Sequence, residues 1–209
     1  MTVAAKYYAC KVQFIEALLS SQEAKNWDSK LLEDTEIKCN FVKGYTGLLF
    51  PGGIREVVDF AESYYDQKMV ELLSATIVPS KIREKITLAL KVRIKTCVPK
   101  EIHLMNSVYF ATPSNTLFAS KMAFRTCDMI WRYAGDESVD HNYYSKRSLL
   151  LSVYVSTIIY YCQDQSVNNI DTDEYIAESL SDIINISSKL KSIIKLPKLV
   201  DIPIVRLFF

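Results

Sequence analysis

The chain predicts an all-α fold of about nine helices, and three observations carry the prediction. Glycine and proline are scarce, 5 and 6 in the whole chain, and they fall between periodic segments rather than inside them. Within those segments apolar residues recur at three- and four-residue spacing, the period of a helix with one buried face. No stretch alternates apolar and polar side chains as a half-buried strand would.

The elements follow in chain order. A first helix is expected over residues 3–19, a short second over 28–37 and a third over 38–49, before the turn Phe50-Pro51-Gly52-Gly53. The next helix sets Ile54, Val57, Val58, Ala61, Tyr65, Met69 and Leu72 on one face. Ser80 reads as the N-cap of a helix whose buried side is Ile82, Ile86, Ala89, Leu90 and Ile94, and Pro99 ends it. A short helix is expected over 101–111. Pro113 opens the one after it, and Gly135 stands where a C′ glycine would close it. Asp140 is placed to cap a helix over 142–162. Beyond a polar loop, Thr172 opens a last long helix with Tyr175, Ile176, Leu180, Ile183, Ile184, Ser187, Leu190 and Ile194 on its inner side. The apolar tail 196–209 is interrupted by Pro197 and Pro203, so it cannot form one continuous helix.

Composition narrows the function. Bases and acids number 25 and 24 and are mixed along the chain, which argues against a dedicated nucleic-acid surface. The five cysteines are far apart and include no CxxC pair, as expected for reduced, buried thiols. The first residues lack the pattern of a secretory signal or of an organelle transit peptide. The longest nearly apolar run, 148–161, falls short of the roughly 20 residues needed to span a bilayer. Only two histidines occur, His103 and His141, with no HExxH, ExxH or Cys/His cluster. The phosphate-cradling glycine motifs and the GxSxG elbow are absent too. No catalytic residue, metal ligand or cofactor is therefore assigned.

The helix beginning at Pro113 carries more apolar surface than a surface helix requires. Lys121, Arg125, Asp128 and Arg132 form a narrow charged stripe, opposite Ala119, Ala123, Cys127 and Ile130. One flank adds Phe118, Met122 and Met129, and the other adds Leu117, Phe124 and Trp131. The apolar arc covers roughly 260°, against about 100° for an ordinary amphipathic helix. Either the helix is buried nearly all round, or one flank faces a ligand or partner.

The stretch IWRYAGDESVDHNYYSKRSLLLSVYVSTIIYYCQD resembles the signature of the Coq-nine family of ubiquinone-biosynthesis lipid-binding accessory proteins. That signature reads approximately IW-x-x-AGD-x-S-x-D-x-N-W-Y-[ST]-[KR]-R, followed by an apolar helix and a D-x-S turn. Trp131, Ala134, Gly135, Asp136, Ser138, Asp140, Asn142, Tyr144, Lys146 and Arg147 match it, as does Asp164-Gln165-Ser166. His141 and Tyr143 depart from the family's usual Phe and Trp. Upstream, Leu49-Phe50-Pro51-Gly52-Gly53 followed by Val57, Val58 and Met69 looks like the family's N-terminal half, so the resemblance covers about residues 10–195.

The resemblance implies a fold like that of TetR-type regulators. A helix-turn-helix-like unit without a separate core would occupy 1–73, a helical lipid-binding and dimerisation region 74–195, and the apolar tail 196–209. It implies binding of an isoprenoid lipid or quinone precursor, and docking on a di-iron quinone hydroxylase. Carried over, the docking residues are Phe118, Met122, Arg125, Asp128, Trp131 and Arg132. The lipid-lining candidates are Ile86, Leu90, Leu104, Val108, Leu150, Tyr154 and Ile158. Leu199, Val205, Arg206, Phe208 and Phe209 are candidates for peripheral membrane contact. A homodimer is expected, placed beside a bacterial inner membrane or, in a eukaryote, on the matrix side of the mitochondrial inner membrane. The competing reading is a TetR-like DNA-binding regulator, for which residues 38–49 offer only Lys38, Asn40 and Lys43 as readers.

Overall fold

The computed structural model describes residues 2–20, 26–139 and 141–193, without the side chains of 141 and 184–193. The expected cap at Asp140, the inner-face side chains of Ile184, Ser187 and Leu190, Ile194, and the membrane candidates Leu199, Val205, Arg206, Phe208 and Phe209 lie outside what is described. Among the described residues the fold is all-helical. Its helices are α1 (Val3–Leu19), α2 (Ser29–Lys38), α3 (Tyr45–Leu49), α4 (Ile54–Ser74), α5 (Ile82–Lys91), α6 (Lys100–Phe110), α7 (Pro113–Tyr133), α8 (His141–Gln163) and α9 (Ile170–Ile193). A π-helical turn, Val92–Cys97, prolongs α5, and a short 3₁₀ turn precedes α9.

Local chemistry sets most boundaries. Thr2 and Asp28 cap α1 and α2 through side-chain oxygens that accept the amides of Ala5 and Leu31. The third helix is shorter than expected, because α2 stops at Lys38 and is closed off by Asn40 two residues on. That residue takes a left-handed φ of 55°, and the Asn40 and Phe41 amides close on Ile37 and Glu36 carbonyls at 3.0 and 2.9 Å. Gly44, at φ 84°, then redirects the chain, so only five residues remain helical before Phe50. Ser80 does not cap α5. The cap position is Lys81, and no side chain bonds the first turn. At the end of α7 the amides of Gly135 and Asp136 return to the Arg132 and Trp131 carbonyls, both at 3.0 Å, and Gly135 sits at φ 92°. This Schellman closure is what the Ala-Gly-Asp sequence announces.

Packing arranges these helices around one continuous core. α1 packs on α2, α3 and α4; α4 reaches across to the π turn and α7; α7, α8 and α9 pack in sequence, with α6 against α7 and α8. The extra apolar arc of α7 is largely absorbed by neighbours. Met122, Thr126, Cys127 and Ile130 are buried, Arg55 stacks on Phe118, and Phe124 meets Tyr143 and Tyr144 at 6.2 and 6.4 Å.

Candidate functional site

α6, α7 and α8 leave a cavity of about 330 Å³ between them, within the range of small-molecule sites. Phe110, Ala119, Met122, Ala123, Leu151 and Ile158 give it apolar walls. Thr116, Ser120, Val155 and Ile159 line it too and are exposed, so they mark its mouth between α7 and α8. The inner end is polar: Glu62, His103, Asn106 and Tyr154 are all buried there.

This polar end is held from behind. Arg93 is fully buried and donates from Nη2 to Glu62 at 2.5 Å and from Nε to Asp66 at 2.8 Å. Asn106 donates to Glu62 at 2.7 Å and accepts the Trp27 indole N–H at 2.8 Å. Thr126 donates to Asp66 at 2.8 Å. His103 Nε2 lies 3.0 Å from the Ile94 carbonyl, and because a carbonyl only accepts, that nitrogen carries the proton. Burial pushes the imidazole pKa down to about 3, against the smaller opposing effect of the Ile94 bond, so the ring is neutral.

A pH prediction follows. The folded pKa of His103 lies below its unfolded value of 6.5, so its contribution to stability is present above pH 6.5 and is lost as pH falls toward 3. The slope should be about 1.4 kcal/mol per pH unit from this one group. Urea unfolding at pH 7 and near pH 5 checks it: wild type should lose about 2 kcal/mol more than His103→Gln over that interval. Equal losses in the two proteins would disprove it.

The outer face of α7 forms the second part of the site. Trp131 is partly buried, donates its indole N–H to the Lys146 carbonyl at 3.1 Å, and has the Lys146 ammonium over its ring at 5.5 Å. Beneath it, buried Arg147 ties α7 to α8 by donating to Asp128 at 2.7 Å and to Asp136 at 2.9 Å. Its guanidinium also stacks 3.6 Å from the Tyr143 ring centroid. Burial would raise the Asp136 carboxyl, but bonds from Lys146, Ser138 and Arg147 outweigh it and bring its pKa down to about 2. The Asp164 turn works the same way at the α8–α9 corner. Burial opposes ionisation there, yet side-chain and backbone donors of Ser166 and Thr172 hold the carboxyl well below the usual range.

The structure brings together only part of what the sequence suggested. Of the lipid-lining candidates, Tyr154 and Ile158 line the cavity. Ile86, Leu90 and Leu150 are buried core residues away from its walls. Leu104 and Val108 face outward, 49% and 62% exposed, because α6 turns His103, Asn106, Ser107 and Phe110 to the cavity instead. Of the docking candidates, Met122 is buried at 4% and lines the cavity, so it is not on a surface. Arg125 is engaged by Asp59 and Asp66, and Asp128 by Arg132 and Arg147. Phe118 and Trp131 stay partly exposed and Arg132 exposed. Sequence reasoning missed Glu62, His103 and Asn106. Glu62 lies one helical turn from Val58, read as core, and Asn106 one turn from the apolar Ile102, which is the one signal that could have found them.

Of the helix expected over 38–49, only α3 remains. α3 has five residues, and the Glu36 carboxylate accepts its first amides, Gly44 at 3.0 Å and Thr46 at 2.6 Å. A carboxylate thus occupies the end where a phosphate would otherwise be drawn. Among the described residues no group of His, Cys, Asp or Glu could hold a metal ion, and no helix is long and apolar enough to cross a membrane.

Comparison with known proteins gives a consistent result. The sequence profile of the COQ9 family matches residues 117–187, spanning most of α7, all of α8 and most of α9. A probable ubiquinone biosynthesis protein coq9, mitochondrial, of Dictyostelium discoideum is 25% identical over 182 residues, covering 83% of this chain and 59% of that protein. The human ubiquinone biosynthesis protein COQ9, mitochondrial, is 26% identical over 129 residues, 61% of this chain and 40% of its own length. Its Xenopus tropicalis counterpart is 30% identical over 81 residues, 39% of this chain and 26% of its own length. The matches thus span less than two thirds of each of these relatives.

Proposed function

This chain belongs to the COQ9 family, and from that premise we propose that it is a non-catalytic, lipid-binding accessory protein of ubiquinone biosynthesis. It shelters part of a membrane-derived isoprenoid or quinone precursor and presents the head to a di-iron demethoxyubiquinone hydroxylase. The arrangement is TetR-like, with a homodimer formed on the outer sides of α8 and α9. The protein works peripherally on a membrane, in the mitochondrial setting its relatives' names give or beside a bacterial inner membrane, with the apolar tail as one contact.

The observation that carries this reading is the apolar cavity opening between α7 and α8, on the helix that also displays Phe118, Trp131 and Arg132. Exposing a lipid chain to water costs about 0.8 kcal/mol per CH₂, so a cavity of this kind offsets part of the cost when the chain leaves a bilayer. At about 330 Å³ the cavity holds only part of a long polyisoprenoid, and the remainder must emerge at the mouth. That geometry suits presentation better than storage.

Native mass spectrometry of protein purified without detergent tests the reading. The wild type should carry an isoprenoid or quinone lipid, and Ala119→Phe, which fills the cavity from α7, should carry at least about tenfold less at an unchanged oligomeric mass. Overpacking at this site costs stability of about 1–3 kcal/mol, so a thermal melt accompanies the comparison. A folded Ala119→Phe protein with full lipid occupancy would remove the cavity from the mechanism.

A further inference from the structure

Among the described residues, the corner between α4 and α5 carries the densest run of exposed aliphatic side chains outside the cavity. Ile77 is 92% exposed, Val78 52% and Ile82 57%, within six residues of one another. Within residues 77–85 the charged side chains are Lys81, Arg83 and Lys85 against the acid Glu84. Lys81 pairs with Glu84 at 3.2 Å but keeps a largely exposed side chain, and Arg83 donates to the Ala177 carbonyl of α9 at 2.8 Å. Three aliphatic tips with a net basic surround are poorly suited to water and well suited to an interface of acyl chains below anionic headgroups.

The corner's place in the fold favours the same partner. α4 is 21 residues long, so the corner at its C-terminal end lies about 30 Å from its first turn at Ile54. α5 and α9 run antiparallel: Lys95 reaches the Asn169 carbonyl and Asp173, whereas Arg83 reaches Ala177. The C-terminal end of α9, Ile193, therefore lies toward the same end of the molecule as the corner. The apolar residues 196–209 follow from that end.

We infer that the α4–α5 corner, through Ile77, Val78 and Ile82 ringed by Lys81, Arg83 and Lys85, is a membrane-contacting element that inserts into the surface of an anionic bilayer. It is distinct from the cavity, and it requires neither cargo nor hydroxylase.

Flotation of the full chain with phosphatidylcholine vesicles, with and without phosphatidylserine, tests it. Wild type should bind the anionic vesicles more tightly and release them with salt. Ile77→Ser/Ile82→Ser should weaken binding to both vesicle types by at least about tenfold, since each buried aliphatic contributes that order of affinity. Lys81→Glu/Lys85→Glu should weaken binding to the phosphatidylserine vesicles alone, by at least about tenfold. Ile77, Lys81 and Ile82 are exposed and Lys85 is only partly buried, so melting temperature and lipid occupancy in native mass spectra should stay at wild-type values; that separates this inference from the cargo reading. If Ile77→Ser/Ile82→Ser binds vesicles like wild type, the corner is not a membrane element. If that variant loses only dimer mass, or the corner becomes bilayer-active only after removal of residues 196–209, the occupant is a second copy or the chain's own tail, and the inference is overturned.

Discussion

Arg93→Ala is expected to destabilise the protein by about 3–5 kcal/mol, because it strands buried carboxylates rather than merely deleting a contact. The guanidinium is fully buried between Glu62 and Asp66, and it lies near the rings of Tyr65 and Tyr154, at 5.4 and 6.0 Å. Two neighbours would soften the loss: Arg125 is 3.4 Å from Asp66, and Asn106 stays bonded to Glu62. Neither can replace both charge-assisted bonds. Arg93→Lys keeps the charge but not the fork that bonds both acids, so it should fall between wild type and alanine. Urea or guanidinium unfolding reads the difference. A loss under about 1 kcal/mol for alanine would mean that the acids take up protons or water at little cost. The same variant should also loosen the cavity, since Glu62 and Asn106 form its inner end.

Under the proposed docking, Trp131→Ala is expected to weaken binding to a di-iron quinone hydroxylase by at least about 30-fold, the scale of an interface residue worth about 2 kcal/mol. Trp131 also holds the α7–α8 corner through Lys146, so part of any loss of function could come from unfolding. Two companions separate the effects. Trp131→Phe keeps most of the packing and loses the indole N–H, and Arg132→Glu changes an exposed charge that pairs with Asp128. If Trp131→Ala binds as wild type while remaining folded, or if Arg132→Glu has no effect beside a Trp131→Phe protein that binds normally, the α7 face is not the docking surface. Surface plasmon resonance with the reconstituted hydroxylase supplies the affinities, and a thermal melt the stability.

How much was legible beforehand varied with the range of the interaction. α1 was readable to the residue, and the ends of α7 came from Pro113 and Gly135, because capping and C′ geometry are decided within a few positions. The third helix was misread for a local reason as well: Asn40 can take a left-handed φ that most residues avoid, and an apolar pattern does not reveal that choice. α5 shows a different limit. Arg93 follows Ile86, Ala89 and Leu90 at helical spacing, on the inner face, yet nothing in the local sequence distinguishes a buried arginine there from an exposed one. Only partners 27 and 31 positions away, Asp66 and Glu62, make burial affordable.

The all-helical class, the Schellman end of α7 and the acid-and-base corner from Asp136 to Arg147 were determined by the sequence itself, since each depends on periodicity or on groups close along the chain. The cavity, the inward turn of His103 and Asn106, and the burial of Met122 were decided only by the tertiary structure. A single helix's pattern shows how much of its surface is apolar, but which part of that arc meets a neighbour and which part meets a void depends on how α4, α6 and α8 pack around it.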